Sequence, residues 1–166
     1  MIRYQVNFNC DFDGSCVTHE FPNMGKNIGA EFVLRELVYS GHGIILFTMR
    51  SDGEHPYLTD AVNWFQEHDI PLYGIQKNPL QHTWTSSPKS YANFMIDDSA
   101  IGCPKLHISS LSSRPFVNWR QITNLLHVEN IFTYGQLLNV HKEIDEFFSR
   151  EYNLEYFQGA LLKIIK

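Results

Sequence analysis

The sequence predicts an α/β protein whose parallel sheet carries helices on both faces. Two observations lead to this fold class. Short apolar segments alternate with segments of helical periodicity through short connections, which is the pattern of successive βαβ units. Three of the apolar segments also end in polar, chemically reactive side chains, as strands do at the ligand-binding edge of such sheets. Together they predict a Rossmann-like sheet with a site at the carboxyl ends of its strands.

The first elements follow from periodicity. Residues 2–10 alternate apolar and polar side chains, which predicts a strand, and residues 11–26 are rich in turn-forming residues. Residues 27–40 place apolar side chains three and four positions apart, the spacing of one helix face. The continuous apolar run of residues 43–48 predicts a strand that is covered on both faces.

The same order then repeats. Residues 57–68 have the spacing of a second amphipathic helix. A short strand is expected at 71–75, followed by a polar loop at 76–90. The segment 91–96 predicts a further strand, which stops at two consecutive aspartates, Asp97 and Asp98.

The C-terminal part is patterned less clearly. We expect a strand at 105–109, a helix at 119–127 and an amphipathic helix at 134–150. The segment that follows is too apolar for a solvated tail. The predicted organisation is therefore a core domain over residues 1–130 and a helical C-terminal extension over residues 131–166 that packs on the core or on a partner.

Composition limits the class of protein. The chain has 166 residues, 43% of them hydrophobic, and a formal net charge of -5. No global basic field therefore points to nucleic acid, although local patches remain compatible with it. No apolar run reaches the length of a membrane span, and the N-terminus lacks the apolar core of a signal peptide. Three cysteines without CxxC spacing predict a reduced, cytoplasmic protein.

The stretch CDFDGS places Asp11 and Asp13 at the end of the first predicted strand. Spacing by two puts both carboxylates on one side of an extended backbone. A metal site, a catalytic pair and an ordinary turn are all compatible with this pattern, because Asp and Gly are also common turn residues.

A calcium-binding loop is one specific alternative. The oxygen-bearing residues and the glycine fall at positions 1, 3, 5, 6 and 12 of an EF-hand loop. However, such a loop needs a helix on each side, and the preceding segment is strand-like. Pro22 also interrupts the would-be second helix. The matching residues are Asn9, Asp11, Asp13, Gly14 and Glu20.

Four short motifs in order favour the catalytic pair over the metal loop and the turn, which stay open as alternatives. Together they resemble the haloacid dehalogenase-like (HAD) phosphohydrolase superfamily over about the first hundred residues. The stretch SPKSYANFMIDDSAIGCPK, with RPFVNW after it, is also similar to a small uncharacterised group of HAD-like proteins in bacteria and phages. The four motifs are DFDGS (Asp11–Ser15), ILFTMR (Ile45–Arg50), the lysine Lys89 and IDD (Ile96–Asp98).

The resemblance implies a catalytic role for four side chains. Asp11 is the expected nucleophile, which forms an aspartyl-phosphate. Asp13 is the expected general acid on the leaving oxygen and later the base for water. Thr48 would donate its hydroxyl to a phosphoryl oxygen. Lys89, preferred over Lys77 by the register of its motif, would neutralise negative charge.

The resemblance also implies a magnesium site. Phosphate monoesters are dianions, so a carboxylate nucleophile needs a cation beside it, and Mg²⁺ takes oxygen ligands. Asp11, Asp98 and the main-chain carbonyl of Asp13 are the expected ligands, with Asp97 beside them or bound through water. The group often has Arg after the aspartate pair, whereas Ser99 stands here.

Substrate choice is left open. The two segments where related enzymes carry cap domains, 14–26 and 76–88, are too short for one, so an open site is expected. Arg50 and Lys77 are candidate contacts to an anionic substrate, and His82 and Trp84 to a base or sugar. The expected substrate is a phosphoester such as a nucleotide or a nucleic acid end. A homo-oligomer is compatible with the sequence. The alternative function is a catalytically degenerate binding or scaffold protein of the same family.

Overall fold

A parallel four-stranded sheet forms the centre of the protein. The computed structural model describes residues 5–157 and 160–164. The strands lie in the order β3-β2-β1-β4 and every pairing between them is parallel, which confirms the predicted sheet. The strands are β1 (Asn7–Cys10), β2 (Gly43–Leu46), β3 (Gly74–Ile75) and β4 (Phe94–Ile96).

The strand register brings three loops to one edge of the sheet. Cys10, the last residue of β1, pairs with Leu46 of β2 and with Ile96 of β4. The amide of Asp11 donates to the Ile96 carbonyl at 3.0 Å, so the chain beyond β1 stays beside the chain beyond β4. Residues that follow the three strands therefore meet, although they are far apart in sequence.

The strand β1 also settles the calcium-loop alternative. An EF-hand requires a helix directly before Asn9, whereas Asn7–Cys10 form an inner strand of the sheet. The first helix of the described chain begins only at Ala30. The coincidence of spacing around Asp11 therefore has no EF-hand framework around it.

Two helices connect the strands of the sheet. Helix α1 spans Ala30–Tyr39 and α2 spans Tyr57–Glu67, close to the predicted 27–40 and 57–68. Each buries the apolar face that its periodicity predicted. The indole of Trp64 in α2 also donates to the Asn27 side chain at 2.8 Å, which joins α2 to the segment before α1.

A small hairpin follows the sheet. The strands β5 (Lys105–Leu106) and β6 (Phe116–Val117) pair antiparallel, and α3 spans Trp119–Val128. Asn118 caps α3, because its side chain accepts from the backbone of the first turn. The predicted strand at 105–109 is thus only two residues long, and β6 has no counterpart in the sequence prediction.

Helix α4 (Tyr134–Tyr152) carries the predicted apolar stripe. Thr133 and Gln136 form a capping box at its start. The buried stripe joins the same core as the sheet and α1, and the ring centroids of Phe32 and Phe147 lie 5.6 Å apart. The stripe consists of Leu137, Val140, Ile144, Phe147 and Phe148.

The end of the chain departs from the expected helical extension. Helix α4 ends at Asn153, whose φ of 55° is left-handed. The strands β7 (Leu154–Phe157) and β8 (Ala160–Ile164) then form an antiparallel hairpin. The predicted helical extension over residues 131–166 is therefore helical only up to Tyr152. Positions 158–159 and 165–166 of that prediction lie outside the described residues. None of the described helices has the length and apolar character needed to cross a membrane.

Candidate functional site

Three aspartates form an acidic cluster at the carboxyl edge of the sheet. Asp11 follows β1, and Asp97 and Asp98 follow β4. One carboxylate oxygen of each lies within 4.8 Å of the others. All three are half-buried, and neighbouring carboxylates in such a place are unfavourable unless a cation or a proton compensates them. Hard cations prefer oxygen ligands of this kind, so the donor set fits a metal ion.

The pKa of Asp11 is consistent with an uncompensated cluster. It rises from 3.8 to about 7, chiefly because burial disfavours the charged form. A hydrogen bond from the Phe12 backbone opposes the rise, and the negative charges of Asp97, Asp98 and Asp13 add to it. Burial, followed by the charge of Asp97, also raises the pKa of Asp98. A bound cation would reverse both effects by favouring the carboxylates.

Gly14 permits the close approach of the two loops. Its φ is +82°, and a Cβ built on it would lie 2.4 Å from Oδ2 of Asp98. A side chain at this position would therefore displace a member of the acidic cluster. Ser15 bridges the same loops, because its hydroxyl donates to Oδ2 of Asp11 at 3.3 Å and accepts from the Asp98 amide at 3.0 Å.

The segment 116–119 supports this loop from behind. The Val117 amide donates to the Gly14 carbonyl at 2.8 Å. The buried indole of Trp119 donates to the Ser15 carbonyl at 2.7 Å. The stretch RPFVNW thus fixes the backbone that follows Asp11. The sequence analysis gave this stretch no role beyond its place after the last motif.

The Asp13 side chain belongs to a separate buried ion pair. Nε and Nη2 of Arg50 each donate to one Asp13 oxygen at 2.7 Å. Nη2 also donates to the Asn23 carbonyl at 2.8 Å, and the guanidinium lies between the rings of Phe12 and Phe21. Arg50, predicted as a substrate contact, is 2% exposed and is already engaged with Asp13. Its role toward substrate stays a prediction.

Thr48 lies beside this pair, with its backbone fixed by Gln76. The Gln76 side chain accepts from the Thr48 amide at 3.1 Å and donates to the Thr48 carbonyl at 2.6 Å. The Thr48 hydroxyl accepts from the Arg50 amide at 3.2 Å, so its own proton remains available for a ligand.

One cavity joins these groups. Its volume is about 330 Å³, and it is lined by every predicted site residue except Lys77, His82, Trp84 and Lys89. Lys89 is exposed, and Lys77 lines another cavity, of about 350 Å³, within the 76–90 loop. A larger cavity of about 890 Å³ lies near α2 and β3, but its lining is mostly apolar. The residues lining the first cavity that sequence analysis missed are His19, Phe21, Met49 and Ser99.

Two further contacts surround the aspartate pair. The amide and hydroxyl of Ser99 donate to Oδ1 of Asp97 at 2.7 and 2.5 Å. Lys105 donates from its ammonium to the Asp98 carbonyl at 3.0 Å. Ser99 therefore orients Asp97 locally, and Lys105 supplies a positive charge that the motif order did not indicate.

Comparison with known proteins gives a fold but no activity. No protein-family model matches the chain, and no curated protein matches it. The fold is shared with a solved structure. That structure is described as a conserved protein from Bacteroides thetaiotaomicron, with a TM-score of 0.58 and 26% sequence identity. The match covers 81% of this chain and 98% of the other.

Proposed function

We propose that the protein is a HAD-like phosphatase without a cap domain, which hydrolyses a phosphate monoester with the help of Mg²⁺. One observation carries the proposal: Asp11, Asp97 and Asp98 form an acidic cluster in a cavity that also contains Asp13 and Thr48. The order of the motifs along the chain supports the same assignment, because the motifs around Asp11, Thr48 and Asp98 follow the parallel strands β1, β2 and β4, and ligands bind at this end of such sheets.

The metal would be bound by carboxylates of this cluster. Asp11 and Asp98 are the proposed direct ligands, with the Asp13 main-chain carbonyl, and Asp97 lies next to them. When bound, Mg²⁺ would offset the repulsion between these carboxylates and a phosphate dianion. The raised pKa of Asp11 supports the fit: burial is its main cause, and the charges of Asp97, Asp98 and Asp13 add to it, so a cation beside Asp11 would favour the carboxylate.

Asp11 is the proposed nucleophile. One of its oxygens attacks phosphorus while the bond to the leaving oxygen breaks, which gives an aspartyl-phosphate and an alcohol. The available Thr48 hydroxyl would donate to a phosphoryl oxygen in this step. Water then attacks phosphorus, and inorganic phosphate and the free carboxylate are regenerated.

Asp13 is the proposed proton carrier. It would protonate the leaving oxygen and then accept a proton from the attacking water. Arg50 fixes the plane of the Asp13 carboxylate through two bonds, one to each oxygen. A second lone pair on each oxygen remains for proton transfer.

The positive charge beside the phosphoryl group has two candidates. Lys89 is the residue that the motif order favours, yet it is exposed and does not line the cavity. Lys105 contacts the Asp98 backbone directly. The kcat values of Lys89→Ala and Lys105→Ala distinguish the two candidates. We expect the larger loss of kcat in Lys89→Ala. A larger loss in Lys105→Ala would assign the role to Lys105.

The decisive experiment follows hydrolysis of para-nitrophenyl phosphate. We expect turnover with Mg²⁺ and none with EDTA. Asp11→Asn should reduce kcat by at least ~10³-fold, the scale of losing an essential catalytic group. Beryllium fluoride, a phosphoryl mimic, should raise the melting temperature only where Asp11 is intact. Fluoride stabilisation of Asp11→Asn would contradict the nucleophile assignment.

Asp13→Asn distinguishes acid catalysis from nucleophilic catalysis. General acid help is worth ~10²–10⁴-fold and matters most for poor leaving groups. The variant should therefore lose most activity on an alkyl phosphate but form the phosphoenzyme readily from an activated aryl phosphate. Equal, mild losses in Asp11→Asn and Asp13→Asn would instead indicate a metal-binding loop or a turn.

A binding or scaffold protein of the same fold is the second candidate. The position of Lys89 outside the cavity favours it, because the lysine that the motif order assigns to the phosphoryl group does not line the site. The two candidates differ in one measurable respect. A folded, metal-loaded protein that is inactive on a broad panel of phosphoesters would support the binding role.

A further inference from the structure

The chain between β3 and β4 has an unusual charge pattern. The sequence has no acidic residue between Asp69 and Asp97, while that stretch contains Lys77 and Lys89. The protein as a whole has a formal net charge of -5. A segment of positive formal charge therefore lies beside an acidic cluster in an acidic protein, and its own side chains attract a polyanion and do not repel it.

Buried amide side chains give residues 76–91, here called the 76–91 loop, a defined shape. Gln81, 6% exposed, donates to the carbonyls of Ser87 and Lys89 at 2.7 and 2.8 Å and accepts from the Tyr91 amide at 2.7 Å. Asn78, 8% exposed, donates to the Tyr91 carbonyl at 3.2 Å. Internal bonds of this kind order a surface before any ligand binds and so reduce the entropic cost of binding.

Both ends of the 76–91 loop are bonded to strands that carry the candidate site. At one end Gln76 binds the backbone of Thr48, at the end of β2. At the other end Ser90 and Asn9 exchange two buried bonds, of 3.0 and 3.1 Å, two residues before Asp11. The loop is therefore fixed next to the cavity that contains the aspartates.

The outer face of the loop exposes aromatic rings among polar groups. Trp84 is 62% exposed and Tyr91 is 45% exposed, and their ring centroids lie 5.4 Å apart, edge to face. Beside them the cavity of about 350 Å³ is lined by Lys77, His82 and several hydroxyl-bearing side chains. Its volume lies near the lower end of small-molecule sites, about 300–1,000 Å³.

We propose that the 76–91 loop binds single-stranded nucleic acid and presents its terminal phosphate to Asp11. The proposal rests on the proposed function and names its substrate class. Exposed aromatic rings stack on bases of any sequence, and lysines contact the backbone phosphates. A phosphopeptide would also use the lysines of this surface, but it would stack on Trp84 and Tyr91 only where its sequence supplies a suitable side chain, whereas every nucleotide carries a base.

The first test measures binding without turnover. A fluorescently labelled oligonucleotide with a terminal phosphate is titrated with the full chain in EDTA, as single-stranded DNA and as RNA of the same sequence. Trp84→Ala should weaken binding by at least about 5-fold, the lower range for loss of one base–ring stack. The matched control is Tyr39→Ala, which removes a 70% exposed ring at the end of α1 and should leave affinity unchanged.

The second test uses salt. Lys77→Gln should make the plot of log affinity against log salt shallower by about 0.7 for each lost contact to a single strand. Equal binding by wild-type protein and Trp84→Ala would overturn the proposal. So would a phosphopeptide that binds in a Trp84-dependent manner when the oligonucleotide does not.

The binding test and the turnover test distinguish failure of the loop proposal from failure of the phosphatase proposal. Loss of Trp84-dependent binding overturns the loop proposal and leaves the hydrolysis of para-nitrophenyl phosphate as a valid test of the phosphatase. Intact Trp84-dependent binding without hydrolysis supports the loop proposal and points to the binding-protein alternative.

Discussion

The Arg50 guanidinium donates two hydrogen bonds of 2.7 Å to the Asp13 carboxylate, across 37 residues of sequence. The side chain of Arg50 is 1% exposed and that of Asp13 is 11% exposed. The pair joins the loop after β1 to the loop after β2. It therefore couples the position of a candidate catalytic carboxylate to the stability of the fold.

Removal of Arg50 should be costly. Arg50→Gln leaves the Asp13 carboxylate buried without its partner, a change that costs about 3–5 kcal/mol in comparable pairs. The free energy of unfolding in urea measures it. Arg35→Gln is the matched control, because Arg35 and Glu143 form a longer, more exposed pair at 3.9 Å, worth about 0–1 kcal/mol. Similar losses in the two variants would contradict the structural role of Arg50.

Gly14→Ala should damage the proposed metal site specifically. Alanine at a φ of +82° destabilises the loop by roughly 1–2 kcal/mol, because its Cβ clashes with the backbone in the left-handed region. The same Cβ also clashes with the Asp98 carboxylate. Gly41→Ala imposes comparable strain at a φ of +87°, but its Cβ meets nothing within 4 Å. Calorimetric titration with Mg²⁺ should show weakened binding in Gly14→Ala and wild-type affinity in Gly41→Ala. Equal affinities would show that the approach of Gly14 to Asp98 is not needed.

Glu31 should make stability depend on pH. It is 4% exposed, and its Oε2 has no hydrogen-bond partner among the described residues. Burial raises its pKa above the ordinary value of 4.5, against the opposing charges of His68 and Arg35. The folded state thus holds the proton more tightly than the unfolded state, so this contribution is present below pH 4.5 and is lost as pH rises through the folded pKa.

Glu31→Gln isolates this contribution. The neutral amide cannot ionise, so the variant should lose less unfolding free energy than wild type between acidic and neutral pH. Urea denaturation of both proteins at several pH values gives the difference. Parallel pH profiles would show that Glu31 titrates alike in the folded and unfolded states.

Helix α4 should be required for the stability of the sheet domain. Ile144 is fully buried, and Ile144→Ala should cost about 2–5 kcal/mol as a buried truncation. Leu138→Ala removes a half-exposed side chain from the same helix and should change stability by about 0.5 kcal/mol or less. Truncation after Asn130 should cause aggregation. A soluble, equally stable truncated protein would make residues 131–166 an independent appendage.

The sheet could be predicted because its strands carry local information. The continuous apolar run at 43–48 and the helical spacing at 27–40 each encode burial within one segment. The strand β6 could not be predicted in this way, because a strand of two residues is too short to show an alternation of apolar and polar side chains. The hairpin of β7 and β8 was missed for another reason: its apolar run was compatible with any packed element.

The candidate site was predictable only where strand ends carry it. Asp11, Asp97 and Asp98 meet because parallel pairing brings strand ends together. The pairing of Asp13 with Arg50 depends on side-chain directions that no spacing reveals. The exposed position of Lys89 likewise belongs to a loop conformation that Gln81 stabilises through hydrogen bonds to residues eight and ten positions away.

The strand order has a consequence for the growing polypeptide. Because β1 pairs with β2 on one side and with β4 on the other, a nascent chain can assemble β1 and β2 well before β4 leaves the ribosome. Asp97 and Asp98 follow β4 in the chain, so Asp11 has neither carboxylate beside it until β4 joins the sheet. The mutual repulsion of the three carboxylates arises only when β4 docks. A divalent cation that binds at this moment would therefore act as a folding ligand, favouring the last strand of the sheet.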